Sequence, residues 1–97
     1  MTNQTATRII ETLNLQRHPE GGWFAETWRA DTPGRASGTA IYFLLTEGEA
    51  SHWHRVDATE IWHYHAGAPL VLSLSETDAG PAQDHLLTPD LAQGRPQ

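Results

Sequence analysis

Between His52 and Gly67 the chain reads HWHRVDATEIWHYHAG, gathering four of its six histidines and two of its four tryptophans around one carboxylate, Glu60. Imidazole is the side chain that changes charge near neutral pH, and its neutral nitrogens bind metals or move protons. Residues two apart in a strand share a face, so His52 and His54 project together and could grip one small ion. Glu60 lies just across the turn-like Asp57-Ala58-Thr59. Antiparallel pairing of the flanking strands would bring its carboxylate toward the imidazoles as a hard oxygen ligand. His52, His54 and Glu60 are therefore a candidate metal set, of a pattern that suits iron, manganese, nickel or zinc.

Strict alternation divides the cluster. Trp62 and Tyr64 fall on the side of Glu60, and His63 and His65 fall on the other. The Glu60, Trp62, Tyr64 side is expected to be interior, because aromatic rings gain most from burial. His63 and His65 are then expected to face outward, toward a partner subunit. Arg55 could hold a carboxylate or phosphate with two parallel hydrogen bonds, although a surface ion pair with Asp57 is the more ordinary use for it. Asp57 and Glu20 are further polar contacts for a ligand. His18 and His85 stand alone and are read as structural or surface residues. Trp23 and Trp28 are expected in the core, and Trp62 in a cavity wall.

The frame that must carry these groups is small. Ninety-seven residues suit one compact domain, residues 1–97, with a single hydrophobic core. Twelve Asp and Glu against six Arg and no Lys leave a formal charge of -6, which argues against nucleic acid as a partner. The absence of cysteine removes disulfides, thiolate catalysis and Cys-type zinc sites. No apolar run has the length of a membrane span, and MTNQTATRII lacks the features of a secretion signal, so the expected location is the cytoplasm.

Thr5 to Leu13 predicts one short amphipathic helix, with Ile9, Ile10 and Leu13 at helical spacing and Thr5 as a cap. Pro19 and Gly21-Gly22 mark a loop that enters a strand near Trp23. DTPGRASG is loop chemistry. GTAIYFLLT predicts a central strand buried on both faces. Ser51 to Val56 and Glu60 to Ala66 predict two further strands. PLVLSLSE alternates cleanly, with Leu70, Leu72 and Leu74 on one face, and Gln83 to Thr88 predicts a last strand. Short strands separated by Gly and Pro corners fit an antiparallel sandwich or barrel with one helix outside.

In the order Gly48, His52-Trp53-His54, Glu60, Gly67 the chain resembles the first motif of the cupins, with a longer gap from His54 to Glu60 and a shorter one from Gly48 to His52. HPEGGWFAETWR followed by AIYFLLTEGEASHWHRVDATEIWHYHAGAPL resembles more closely the fifth cupin family, formerly a domain of unknown function. That resemblance implies a mainly β, RmlC-like, cupin-type antiparallel jelly-roll barrel with one short N-terminal helix, working as a homodimer. Its most typical positions are His54, Arg55, Glu60, Trp62 and His63, whereas His52 varies. His54 acting as acid or base with Glu60 orienting it thereby becomes a rival to the metal set. Cupins also carry a second motif with a Pro-x-Gly turn and another His, which does not occur here. The barrel is therefore expected to be incomplete at the C-terminus, the chain being the N-terminal part of the family domain or completed by another chain.

The resulting expectation is a small-molecule pocket protein. In the epimerase or isomerase form, His54 removes a proton beside a carbonyl, assisted by Glu60 or Tyr64. In the metal-dependent form, His54 holds iron. The alternatives are a non-catalytic ligand-binding cupin, with Trp62 and Tyr64 stacked on the ligand and Arg55 and His63 beside it, and a structural homodimer module joined through histidines.

Overall fold

Ala6, Ile9, Ile10 and Leu13 recur at i, i+3, i+4 and i+7, which places them on one stripe of a helix. In a computed structural model that describes residues 3–97, this helix is α1, Asn3–Leu13, beginning two residues before the expected Thr5. Its end is specified locally. Asn14 takes φ 53°, a left-handed conformation that asparagine tolerates. The Leu15 N–H then reaches back to Ile10 O at 2.9 Å, and the Asn14 N–H to Glu11 O at 3.3 Å. This Schellman turn folds Leu15 under the helix, where it is buried with Ala6 and Leu44 and packed by Ile9, Ile10, Trp23 and Ala25.

By packing, the chain divides into two compact units, Met1–Arg55 and Val56–Gln97. The first unit holds α1 and an antiparallel sheet of three strands, in the order β1 (Gln16–Arg17), β2 (Trp23–Arg29), β3 (Thr39–Leu44). Register decides what each face does. Trp23 lies opposite Leu44 and Ala25 opposite Tyr42, so these share the face that packs on α1. Phe24 lies opposite Phe43 and Glu26 opposite Ile41, so these point to the other face.

A bulge between Glu26 and Trp28 shifts the register and sets Trp28 opposite Ala40, which returns it to the face of Trp23 and Ala25. The packed cluster ends at Ala25, however, and Trp28 is 57% exposed, with its ring against Gly38. The core reading holds for Trp23 and fails for Trp28. Nor is β3 buried on both faces: it pairs with β2 on one side and with no described strand on the other, and Ile41 and Tyr42 are exposed. An apolar run looks the same in sequence whether or not its neighbours arrive.

The second unit holds one antiparallel pair, β4 (Leu70–Leu74) with β5 (Gln83–Leu87), in unbroken register from Leu70 opposite Leu87 to Leu74 opposite Gln83. Ser73 Oγ donates to Asp84 Oδ1 across the pair at 2.6 Å. Beyond β5 the chain turns over Asp90, and Thr88 N–H meets Arg95 O at 2.9 Å, which buries Leu87 and Thr88. The fold is thus mainly β with one short helix, and the described strands form two antiparallel sheets.

The expected strands at Ser51 to Val56 and Glu60 to Ala66 do not form. Their backbone donors find loop partners instead of a ladder: His52 N–H donates to Glu20 O, and Tyr64 N–H to Pro96 O, both at 2.7 Å. The first of these bonds needs the His18–Gly22 loop to lie against residues 50–52, which Gly21 permits. A Cβ on Gly21 would stand 2.2 Å from Ala50 O, at a φ of +113° that side chains rarely adopt. Gly21→Ala is expected to destabilise the protein by at least about 2 kcal/mol in urea titration, through strain and clash together; an unchanged midpoint would contradict the close approach.

Candidate functional site

The five residues His18 to Gly22 form the loop between β1 and β2, closed by the His18 N–H to Gly22 O bond at 2.9 Å and by Gly21 N–H to His18 O at 3.1 Å. Strand alternation sends Phe24 and Phe43 to the face away from α1, and the loop sets the His18 ring edge-on to both. The centroid distances are 5.0 Å to Phe24 and 5.3 Å to Phe43, within the range of edge-to-face aromatic packing. The first histidine, read from sequence as a lone structural residue, is thus built into an aromatic platform.

Two groups approach its Nδ1. The Glu20 backbone N–H lies at 3.1 Å and the Glu20 carboxylate Oε2 at 3.2 Å. An amide always carries its proton, so the amide is the donor and Nδ1 accepts; the neutral ring then bears its own proton on Nε2. Glu20 Oε2 is left buried without a hydrogen-bond partner.

His54 has the opposite arrangement. Its Nδ1 lies 2.7 Å from His52 O, and a carbonyl can only accept, so Nδ1 carries the proton and Nε2 keeps its lone pair. His52, Trp53, His54 and Arg55 are all exposed. The segment is led out of β3 by a turn in which Glu49 Oε1 accepts from the Thr46 N–H at 3.0 Å and from the Thr46 hydroxyl. Arg17 closes the turn on Glu49 Oε2 at 3.0 Å while its guanidinium lies over the Trp23 ring.

In the second unit, alternation survives without a strand. Trp62 and Tyr64 are half-buried, whereas His63 and His65 are exposed, which matches the division expected for these four. Glu60 departs from it, being exposed rather than interior. The Tyr64 hydroxyl donates to Gly67 O, pinning the ring against its own turn.

A family model described as Cupin superfamily (DUF985) matches residues 7–97. The chain belongs to that family. Protein SO0799 from Shewanella oneidensis, known from an X-ray crystal structure, is 40% identical with a TM-score of 0.87. The alignment covers 100% of this cupin and 62% of the Shewanella chain, so the present chain spans less than two thirds of its relative's length. No curated protein matches it.

The metal set was the sharpest chemical expectation for this cupin. Among the described residues no three His, Asp or Glu side chains come together as ligands for an ion. His52 and His54 belong to the first unit and Glu60 to the second, and the Nδ1 of His54 is already engaged by a carbonyl. A shallow pocket of about 290 Å³ is lined by Asn14, Gln16, Phe24, Ala25 and Glu26, none of them among the expected site residues. His85 sits opposite Leu72 in the β4–β5 pair, exposed, in keeping with a surface residue. The placement of His18 and Glu20 against each other was not expected, although the signal for the loop that holds them was present: two glycines after a Pro-Glu step announce a tight turn.

Glu49 gives the turn before the histidine segment a pH dependence. The Thr46 hydroxyl, ahead of the Thr46 amide and Arg17, holds its carboxyl below the usual range. A carboxylate with a lowered folded value contributes stability that is complete above the ordinary carboxylate pKa and disappears as pH falls through the lowered one. The stability difference between the wild type and Glu49→Gln, from urea titrations at a series of pH values, is therefore expected to be largest at neutral pH and to shrink on acidification. A difference that is constant with pH would show that the carboxylate charge contributes nothing.

Proposed function

We propose that this cupin binds a small molecule and moves a proton on it, with His54 as the acid–base group. The observation that carries this reading is the bond from His54 Nδ1 to His52 O: it leaves Nε2, on an exposed ring, as a lone-pair nitrogen turned away from the main chain. Such a nitrogen suits a carbon acid beside a carbonyl. Nε2 takes the proton, the C–H electrons pass to the carbonyl oxygen, and return of a proton to carbon completes an epimerisation or isomerisation. Arg55 is assigned to an anionic group of the ligand, which fits the planar fork of a guanidinium. Glu60, Trp62, His63 and Tyr64 are the residues assigned in the second unit, with Glu60 and Tyr64 in the chemistry and Trp62 and His63 against the ligand. A jelly-roll barrel working as a homodimer in the cytoplasm belongs to the same reading; exposed Trp28, Ile41 and Tyr42 support a partner surface, and no described helix is long and apolar enough to cross a membrane.

A non-catalytic ligand-binding role is the second reading. It is supported by the pinned, half-buried Tyr64 and the half-buried Trp62, which offer flat faces without needing a proton-transfer step.

The experiment is hydrogen exchange on the ligand. Keto sugars and their nucleotide-linked forms are incubated with the protein in D2O, and loss of the C–H signal beside the carbonyl is followed by NMR. Catalysed exchange is expected, falling at least about 100-fold in His54→Ala, whose folded spectrum stays intact because the side chain is exposed. Exchange that persists in His54→Ala sinks the proposal. Binding without exchange, weakened by Trp62→Ala and not by His54→Ala, selects the second reading instead.

A further inference from the structure

Residues 50–55 have no sheet ladder to hold them, yet the proposed chemistry needs His54 to keep one ring nitrogen protonated and the other bare. We propose that His18 is a positioning residue for His54, acting along three hydrogen bonds through the main chain of Glu20 and His52. The Glu20 N–H donates to His18 Nδ1 at 3.1 Å. The Glu20 carbonyl accepts the His52 N–H at 2.7 Å. The His52 carbonyl accepts the His54 Nδ1–H at 2.7 Å. One imidazole thus stands at each end of the line, an acceptor at the first and a donor at the last.

The His18 end and the middle of the line are held by packing and close backbone approach. His18 is wedged between Phe24 and Phe43, which are themselves cross-strand partners in the sheet. In the middle, Gly21 and Gly22 bring the loop so close to Ala50 and Leu44 that a side chain at either position would collide with backbone. The Glu20 N–H is aimed by His18, and the carbonyl of the same residue is aimed at His52. The N–H and C=O of Glu20 lie on successive peptide planes joined at its Cα, as do those of His52. Loss of the Nδ1 acceptor therefore reaches the His52 carbonyl by relaxing the backbone angles of these two residues, against the Gly21 N–H to His18 O bond that still holds the Glu20–Gly21 peptide. The carboxylate of Glu20, whose Oε2 stands 3.2 Å from the same Nδ1 without a hydrogen-bond partner, is not itself a link in the line.

This inference deepens the proposed function and rests on it for its catalytic meaning, but the line itself is read without substrate. The test uses the full chain, ¹⁵N-labelled, at about pH 9, where imidazoles are neutral. Ring ¹⁵N spectra are expected to show His54 protonated on Nδ1 and His18 on Nε2. Two variants pull the roles apart. His18→Phe keeps an aromatic ring between Phe24 and Phe43 and removes the acceptor; His18→Asn gives up the ring and keeps an acceptor near the place of Nδ1.

The Asn variant is expected to retain the His54 Nδ1–H form. The Phe variant is expected to lose it, with the His52 amide exchanging at least about tenfold faster. Retention in Phe with loss in Asn would show packing alone and overturn the proposal, as would retention in both or loss in both. Should His18→Phe fail to fold, the wild-type spectrum still decides: His18 protonated on Nδ1 means that the line does not exist. Failure of the ligand exchange experiment with these tautomers intact would overturn the chemistry and leave the positioning in place.

Discussion

The carbonyl of Glu20 receives the N–H of His52 at 2.7 Å, and the first unit is arranged so that this bond can form. The donor sits in a segment with no strand to pair with, and the acceptor in a five-residue loop. Their meeting depends on two glycines that admit the backbone of residues 44 and 50 to distances a side chain would forbid. Around that approach, β1 and β2 supply the loop's closing register, and the Thr46–Glu49 turn delivers the histidine segment at the right height. A backbone hydrogen bond of this kind contributes modestly by itself, about 1 kcal/mol. Its importance is positional.

The sheet separates two tasks by face. One face of β2 and β3 carries Trp23, Ala25 and Leu44 against α1 and Leu15, and this is where the first unit finds its buried apolar surface. The other carries Phe24 and Phe43, whose rings receive an imidazole instead of a helix. Alternation of side chains along a strand is enough to keep these apart. Core substitutions therefore act on the folding of the unit, and substitutions at the Phe pair act on the loop that touches the histidine segment.

Much of this was legible in the chain. The spacing of Ile9, Ile10 and Leu13 specifies α1, and the alternation around Leu70 to Leu74 and the run from Gln83 specify the β4–β5 pair. The division of Trp62 and Tyr64 from His63 and His65 also held, because alternation belongs to any extended backbone, paired or not. What failed needed non-local information. Ser51 to Val56 has the composition of a strand, but strand formation is decided by a partner, and the partner here is a loop carbonyl. β3 reads as two-sided because it is uniformly apolar, and Trp28 as core because a bulge and the end of the packed cluster leave no trace in pattern. His18 looked solitary for the same reason: Phe43 is far along the chain and adjacent only in the folded sheet.

All three bonds joining His18 to His54 place main-chain groups of Glu20 and His52 opposite each other or opposite a ring, and no side chain of either residue is used. Substituting residue 20 or 52 leaves its peptide N–H and C=O in the polypeptide. A scan that replaces side chains one at a time would therefore record these two positions as tolerant while they hold the geometry together. The information for aiming His54 is stored in atoms that every amino acid shares, and ester-for-amide replacement of the backbone is the chemistry that would make it visible.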